Sequence, residues 1–233
     1  MKKIRRFIMV MVCLAIFLGF LEYKGIIWHN DFFAMKYKIK GLDVSHHQGK
    51  IDWKEVSNHN SFRFVYIKAT EGEDFVDEQF LTNWQAAQKY MAIGAYHFFS
   101  MENTGEAQAA LFIKTVPKQE GSLPPVIDLE IGLGYDQEKV KLQLHKMVEL
   151  LQQYYGKKPM LYVTYDTYNK YIKGDFPEQD IWLRDILKHP KLEQRKWVLW
   201  QFNNRGKVQG IAEYVDINVF NMDEFDFTDF IAR

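Results

Sequence analysis

Two carboxylates separated by one leucine close an apolar run in Pro125-Val126-Ile127-Asp128-Leu129-Glu130. Side chains at i and i+2 leave a strand on the same face, so Asp128 and Glu130 are expected to point together into whatever opens at the strand's end. Two acids held that close resist double ionisation, and one keeps its proton to higher pH. The pair therefore offers a proton donor and a carboxylate in one short motif, the equipment of general acid–base chemistry. A solvated strand end or an acidic helix start would show the same letters, so the motif gains weight only from its company.

That company is acidic and aromatic. Asp43 lies in Gly41-Leu42-Asp43-Val44-Ser45-His46-His47-Gln48-Gly49, where an apolar strand turns polar and Asp43, Ser45 and His47 share a face. Asp43 with His46 and His47 raises a metal site as an alternative, since a carboxylate and two histidines can hold Zn²⁺ or Fe²⁺. Adjacent histidines on a strand diverge, however, which favours hydrogen bonding and no metal or other cofactor. Phe64 to Gly72 ends another strand with Tyr66 and Lys68 on one face and Glu71 on the loop above. Asp216 stands in the apolar strand Tyr214-Val215-Asp216-Ile217-Asn218-Val219-Phe220, where a charge needs a partner or a cavity. Tyr96, Phe98, Tyr162, Trp182 and the polar Gln201 complete a set suited to sugar rings and their hydroxyl and acetamido groups.

These residues need a scaffold that brings many strand ends together. Short apolar runs alternate with segments of helical period, the pattern of repeated βα units. Strands are expected at about 39–45, 62–69, 92–99, 124–129, 159–165, 180–184, 197–202 and 215–220. The clearest helix is expected from Gln137 to Tyr155, with Val140, Leu144, Met147, Val148, Leu151 and Tyr155 on one face and a stop at Gly156. Further helices fit 77–90 and 104–116, while the links between the last three strands are too short for full helices. Eight strands with fewer helices point to a single irregular α/β barrel related to the TIM barrel.

The chain has 233 residues with 30 basic against 30 acidic side chains, so no net field argues for nucleic acid. Lys2, Lys3, Arg5 and Arg6 precede Phe7 to Leu21, an apolar run without a charge. This has the form of an export signal, either cleaved or kept as an anchor, and makes the rest an exported domain. We divide the chain into a leader or anchor at 1–22, a connector at 23–38 and a barrel at 39–233, with membrane contact only through 7–21. The expected location is the outer side of the cytoplasmic membrane, or the medium if the leader is cut. Cys13 is the only cysteine and lies in the apolar run, which leaves the domain without disulfides.

With its motifs in order, the chain resembles glycoside hydrolase family 25, the muramidases typified by Chalaropsis-type lysozymes. The resemblance rests on DVSHHQG at 43–49, YIKATEG at 66–72, GAYHFF at 94–99, PVIDLE at 125–130, LYVTY at 161–165, WQF at 200–202 and VDINVFN at 215–221. It implies a (βα)5β3 barrel and cleavage of the β-1,4 bond between N-acetylmuramic acid and N-acetylglucosamine in peptidoglycan; we further expect retention of configuration and a monomer. The family's general acid then falls on Glu130 and its partner on Asp128, with Asp43 and Asp216 as further site acids and Glu71 as the glutamate of the T-E-G motif. Tyr66, Lys68, Tyr96, Phe98, Tyr162, Trp182 and Gln201 are the expected substrate-binding residues. The intermediate is either an oxazolinium formed by the substrate's acetamido group or a glycosyl ester on the carboxylate. A catalytically dead glycan-binding barrel and a metal-dependent deacetylase are the rivals from other classes.

Overall fold

The computed structural model describes residues 2–59, 61–193 and 195–232. Among them, nine strands form one sheet: β1 (Lys40–Val44), β2 (Phe62–Glu71), β3 (Phe75–Val76), β4 (Ala92–Phe98), β5 (Val126–Asp128), β6 (Met160–Val163), β7 (Ile181–Arg184), β8 (Leu199–Gly206) and β9 (Val215–Phe220). The order β1-β9-β8-β7-β6-β5-β4-β2, with β1 paired to β2, closes eight of them into a barrel. The two-residue β3 is an antiparallel appendage on the end of β2. Within the barrel, β9 alone runs antiparallel to both neighbours, β8 and β1. The other seven therefore deliver their carboxyl ends to one mouth.

The helices are α1 (Lys2–Tyr23), α2 (Asp31–Ala34), α3 (Trp53–His59), α4 (Phe80–Ala87), α5 (Gly105–Thr115), α6 (Gln137–Tyr155), α7 (Tyr165–Thr167) and α8 (Glu224–Ala232). From α3 to α7 they fill the five connections from β1 to β7, leaving out the appended β3. The bounds of α6 are those expected from its apolar stripe, and the reasons are local. Asp136 accepts from the Lys139 N–H at the start, and Gly156 takes a left-handed φ of 73° at the end. Val140, Leu144, Met147, Val148 and Leu151 are buried, each stabilising by about 1.5–3 kcal/mol relative to exposure.

Two apolar bodies flank the barrel wall. The larger lies between strands and helices; the smaller fills the barrel's lower interior with Phe64, Tyr66, Val126, Met160, Leu199 and Phe220. The sequence reading had no helix after Asn221, yet α8 inserts Phe227 and Phe230 beneath this floor, with ring centroids 5.2 and 5.0 Å from Phe220. The closed end is thus aromatic and the open end polar.

Among the described residues, the connections between β7, β8 and β9 carry no helix, in line with the sequence pattern. Residues 28–37, read as part of a connector, cover this part of the wall. The Trp28 Nε1–H donates to the Phe202 carbonyl at 2.6 Å, and Asn30 Nδ2 donates to the Asp185 and Phe202 carbonyls at 3.2 Å each. Ala34 is fully buried. α1 is different: none of its residues is buried, its mean hydropathy reaches 2.2, and its 22 residues are long and apolar enough to cross a membrane. At 1.5 Å per residue it extends about 33 Å, close to the thickness of a bilayer's hydrocarbon layer.

Candidate active site

Strand register assembles the site. Phe98 pairs with Asp128, Asp128 with Tyr162, and Tyr162 with Trp182, so four neighbouring strands set one row of side chains across the mouth. On the opposite wall Asp43 pairs directly with Asp216 across the antiparallel β1–β9 ladder. Together these rows line a cavity of about 180 Å³ with Asp43, Asp128, Glu130, Asp216, Lys68, Tyr96, Phe98, Tyr162, Trp182, Gln201, Ser45 and His47. Glu130 lies two residues past the end of β5, where the Leu129 N–H still donates to the Tyr162 carbonyl at 2.9 Å and keeps the extended course.

The cavity is smaller than the ~300–1,000 Å³ of sites that engulf a ligand.

Electrostatics follow from depth. Asp43 is 9% exposed and Asp128 8%, whereas a third of the Glu130 side chain is open to solvent. Burial pushes the Asp43 carboxyl up to about 6, against hydrogen bonds from Asn218 Nδ2 at 2.7 Å and Gln201 Nε2 at 3.2 Å that favour its ionised form. Burial, then the charges of Glu130 and Asp43, push Asp128 well above the carboxylate range, with Lys68 opposing. Asp216 is raised likewise, first by burial and then by Asp43. Glu130 is also raised by partial burial, with the Arg184 guanidinium, 3.9 Å away, pulling it back. Burial thus raises all four carboxyls, and mutual charge adds to it at Asp43, Asp128 and Asp216. The push is stronger on the deep Asp128 and Asp216 than on the open Glu130, to which the family resemblance assigns the general acid.

Asp128 Oδ1 is buried without a hydrogen-bond partner. An unpaired buried acceptor costs free energy, and a donor arriving with a ligand would relieve it.

Ten of the twelve residues expected from sequence line this cavity. Tyr66 does not: it is fully buried in the floor, its hydroxyl donating to the Pro124 carbonyl at 3.2 Å and its ring 5.0 Å from Trp182. Glu71 also stands outside the lining, and its Oε2 accepts from Lys68 Nζ at 2.6 Å. That bond, with the Phe75 and Phe98 rings at 5.4 and 5.0 Å, fixes the one lysine in the lining. Gly72 turns the chain here at a φ of 55°, and a Cβ on it would meet Asn103 Oδ1 at 2.8 Å. The adjacent histidines lie not on a strand but in a short 3-10 turn, His46–Gln48, with ring centroids 4.1 Å apart; His46 Nδ1 meets Asp77 Oδ2 at 2.8 Å and His47 lines the cavity.

Two residues escaped the sequence reading. Asn218, fully buried, donates to Asp43 and accepts from the Trp182 Nε1–H at 2.8 Å. Its position two residues after Asp216 on the same strand face was the available signal. Arg184 is two residues after Trp182 and carried the same signal.

The comparisons with known proteins bear directly on this site. The model of glycosyl hydrolases family 25 matches residues 42–211, from β1 to the turn before β9. The chain belongs to glycosyl hydrolase family 25. It is a glycoside hydrolase. A solved family 25 glycosyl hydrolase from Bacillus anthracis superposes with a TM-score of 0.80 at 46% identity, over 83% of this chain and 94% of that one. YegX of Escherichia coli is 35% identical over 84% of this chain and 74% of its own length. Lysozyme M1 of Streptomyces globisporus is 28% identical over 78% of this chain and 68% of its own. In this family 25 hydrolase the matched span contains three of the four cavity acids; Asp216 comes from β9, just beyond it.

Proposed function

We propose that this family 25 hydrolase is a retaining N-acetylmuramidase that cuts the β-1,4 bond between N-acetylmuramic acid and N-acetylglucosamine in peptidoglycan. The observation that carries the reading is the convergence of Asp43, Asp128, Glu130 and Asp216 with Tyr96, Phe98, Tyr162 and Trp182 in one open cavity. The relatedness to Lysozyme M1 supports the substrate class. We also read the barrel as the (βα)5β3 kind, with five strand–helix units followed by three bare strands. The enzyme acts as a monomer and is held outside the cytoplasmic membrane by an uncleaved α1.

Glu130, the most open of the four acids, donates its proton to the leaving glycosidic oxygen. As that bond breaks, the acetamido carbonyl oxygen of the same sugar closes on the anomeric carbon and forms an oxazolinium ion. The unpaired Oδ1 of Asp128 suits the acetamido N–H, whose bond to it orients the group for attack. Water then attacks the anomeric carbon from the face the leaving group vacated, giving its proton to Glu130 as the bond from that carbon to the acetamido oxygen breaks and the neutral acetamide is restored, with net retention. Asp43 and Asp216 tune the charge of the cavity; Lys68 and Gln201 position the sugar, and the aromatic rings pack on its C–H faces.

The test is digestion of purified peptidoglycan with identification of the new reducing end. N-acetylmuramic acid at that end supports the reading; N-acetylglucosamine or an anhydro end overturns it. Glu130→Gln is expected to lower turnover by about 10²–10⁴-fold, the usual worth of a positioned proton donor, with the unfolding midpoint little changed. Wild-type hydrolysis by that variant refutes the assignment.

A further inference from the structure

The stretch between α1 and the barrel, with one neighbouring loop, leaves six large apolar side chains in the open. Ile26, Ile27, Phe32, Phe33, Met35 and Leu187 are 60, 40, 72, 43, 65 and 74% exposed. Contiguous apolar surface of this kind marks an interaction site on a folded protein. The backbone beneath it is fixed. The hydrogen bonds of Trp28 and Asn30 hold the segment to the outer side of β7 and β8. His29 Nε2 meets the Leu187 carbonyl at 2.8 Å, and the Phe33 ring lies edge-on to His189 at 6.4 Å.

The same segment is tied to the end of α1. His29 Nδ1 bonds the Glu22 carboxylate, and the Arg205 guanidinium lies between the rings of Tyr23 and Tyr214 at 4.7 and 4.4 Å. Gly25, at a φ of 61°, passes so near the Arg205 carbonyl that a Cβ would stand 2.2 Å from it. The helix exit and the exposed patch therefore move as one piece.

We infer that this patch docks onto a lipid surface, namely the headgroup layer of the bilayer that α1 enters. The inference rests on the reading of α1 as a retained anchor. Continuity names the occupant: Ile26 follows the last residue of the apolar run, Leu21, by five positions, and contacts on both sides of the turn hold the patch at the helix exit. Composition agrees, because exposed Phe and Ile flanked by exposed Lys24, Lys36 and Lys188 are what an interfacial segment needs. The lysines face anionic headgroups while the rings enter the acyl boundary. Since Asn30 holds the Asp185 carbonyl just past the end of β7, docking also sets the angle at which the barrel presents its mouth.

The experiment places a polarity-sensitive fluorophore on single cysteines of the full chain in phosphatidylethanolamine–phosphatidylglycerol vesicles and measures quenching by brominated lipid chains. Native Cys13 reports the anchor; Phe32→Cys and Leu187→Cys, each with Cys13→Ser, report the patch; Leu142→Cys, on the exposed face of α6, is the control. Docking predicts quenching at 13, 32 and 187 but not at 142. Quenching at 13 with 32 and 187 behaving like 142 overturns the docking while leaving the anchor, and no quenching at 13 overturns both. Adding Leu187→Asp to the Phe32→Cys reporter removes one apolar contact and is expected to cut the docked-to-undocked ratio about tenfold. Hydrolysis of soluble glycan fragments should not change. Undiminished quenching in that variant counts against docking.

Discussion

The carboxylate cluster should make itself visible as a pH-dependent loss of stability, and Asp43→Asn isolates it. Burial raises Asp43 from an ordinary 3.8 to about 6. The folded protein therefore binds this proton more tightly than the unfolded chain does. Its contribution to stability is complete below about pH 3.8 and is lost as pH rises through about 6. The shift of about two pH units is worth about 3 kcal/mol at ~1.4 kcal/mol per unit. An asparagine cannot ionise, so the variant escapes this loss. It also faces the amide donors of Gln201 and Asn218, which adds an offset that does not vary with pH.

The informative quantity is thus the stability difference between variant and wild type as a function of pH. It should rise by about 3 kcal/mol between about pH 4 and pH 7, or more, because removing the Asp43 charge also eases Asp128 and Asp216. At ~2–4 °C per kcal/mol for a chain of this size, the gap in Tm should widen by about 6–12 °C. Thermal or urea unfolding of the detergent-solubilised full chain, followed by circular dichroism at several pH values, measures it. A difference that stays flat across this range would mean that Asp43 titrates like a solvated carboxyl, and the crowded cavity would be refuted. Variant hydrolysis should fall even as stability rises, the usual trade at a strained site.

Further outcomes follow from single contacts. Asn218→Ala deletes a 2.7 Å bond to a carboxylate and orphans the Trp182 indole N–H; unfolding should show a loss of about 3 kcal/mol or more, and the pH at which Asp43 titrates should move upward. Arg184→Ala removes the cation that holds Glu130 down, so the Glu130 pKa rises and the alkaline limb of the kcat/KM profile should move to higher pH. An unmoved limb there would exclude Glu130 as the acid it reports. Gly94→Ala would put a Cβ 2.3 Å from the Tyr66 ring in the floor and should cost about 1–3 kcal/mol in unfolding experiments.

What the chain states locally was legible before any coordinates. The stripe of α6 with its Asp136 and Gly156 ends, the eight barrel strands, and the D-x-E pair are set by periodicity and by backbone preferences of single residues, which act over a few positions. Depth and partnership were not legible. Tyr66 and Lys68 share a strand face, yet one is floor and the other lining, because height along the barrel is decided by stagger between strands. The bond of Asn218 to Asp43, the approach of Arg184 to Glu130 and the burial of Asn30 against β8 join residues 54 to 175 positions apart, and no local pattern announces them. Neither does the plug of α8, since its apolar face has meaning only once the barrel beneath it has closed. Residue types thus declared which groups could do chemistry; the closed sheet alone decided which of them are crowded, desolvated and left with an oxygen unpaired.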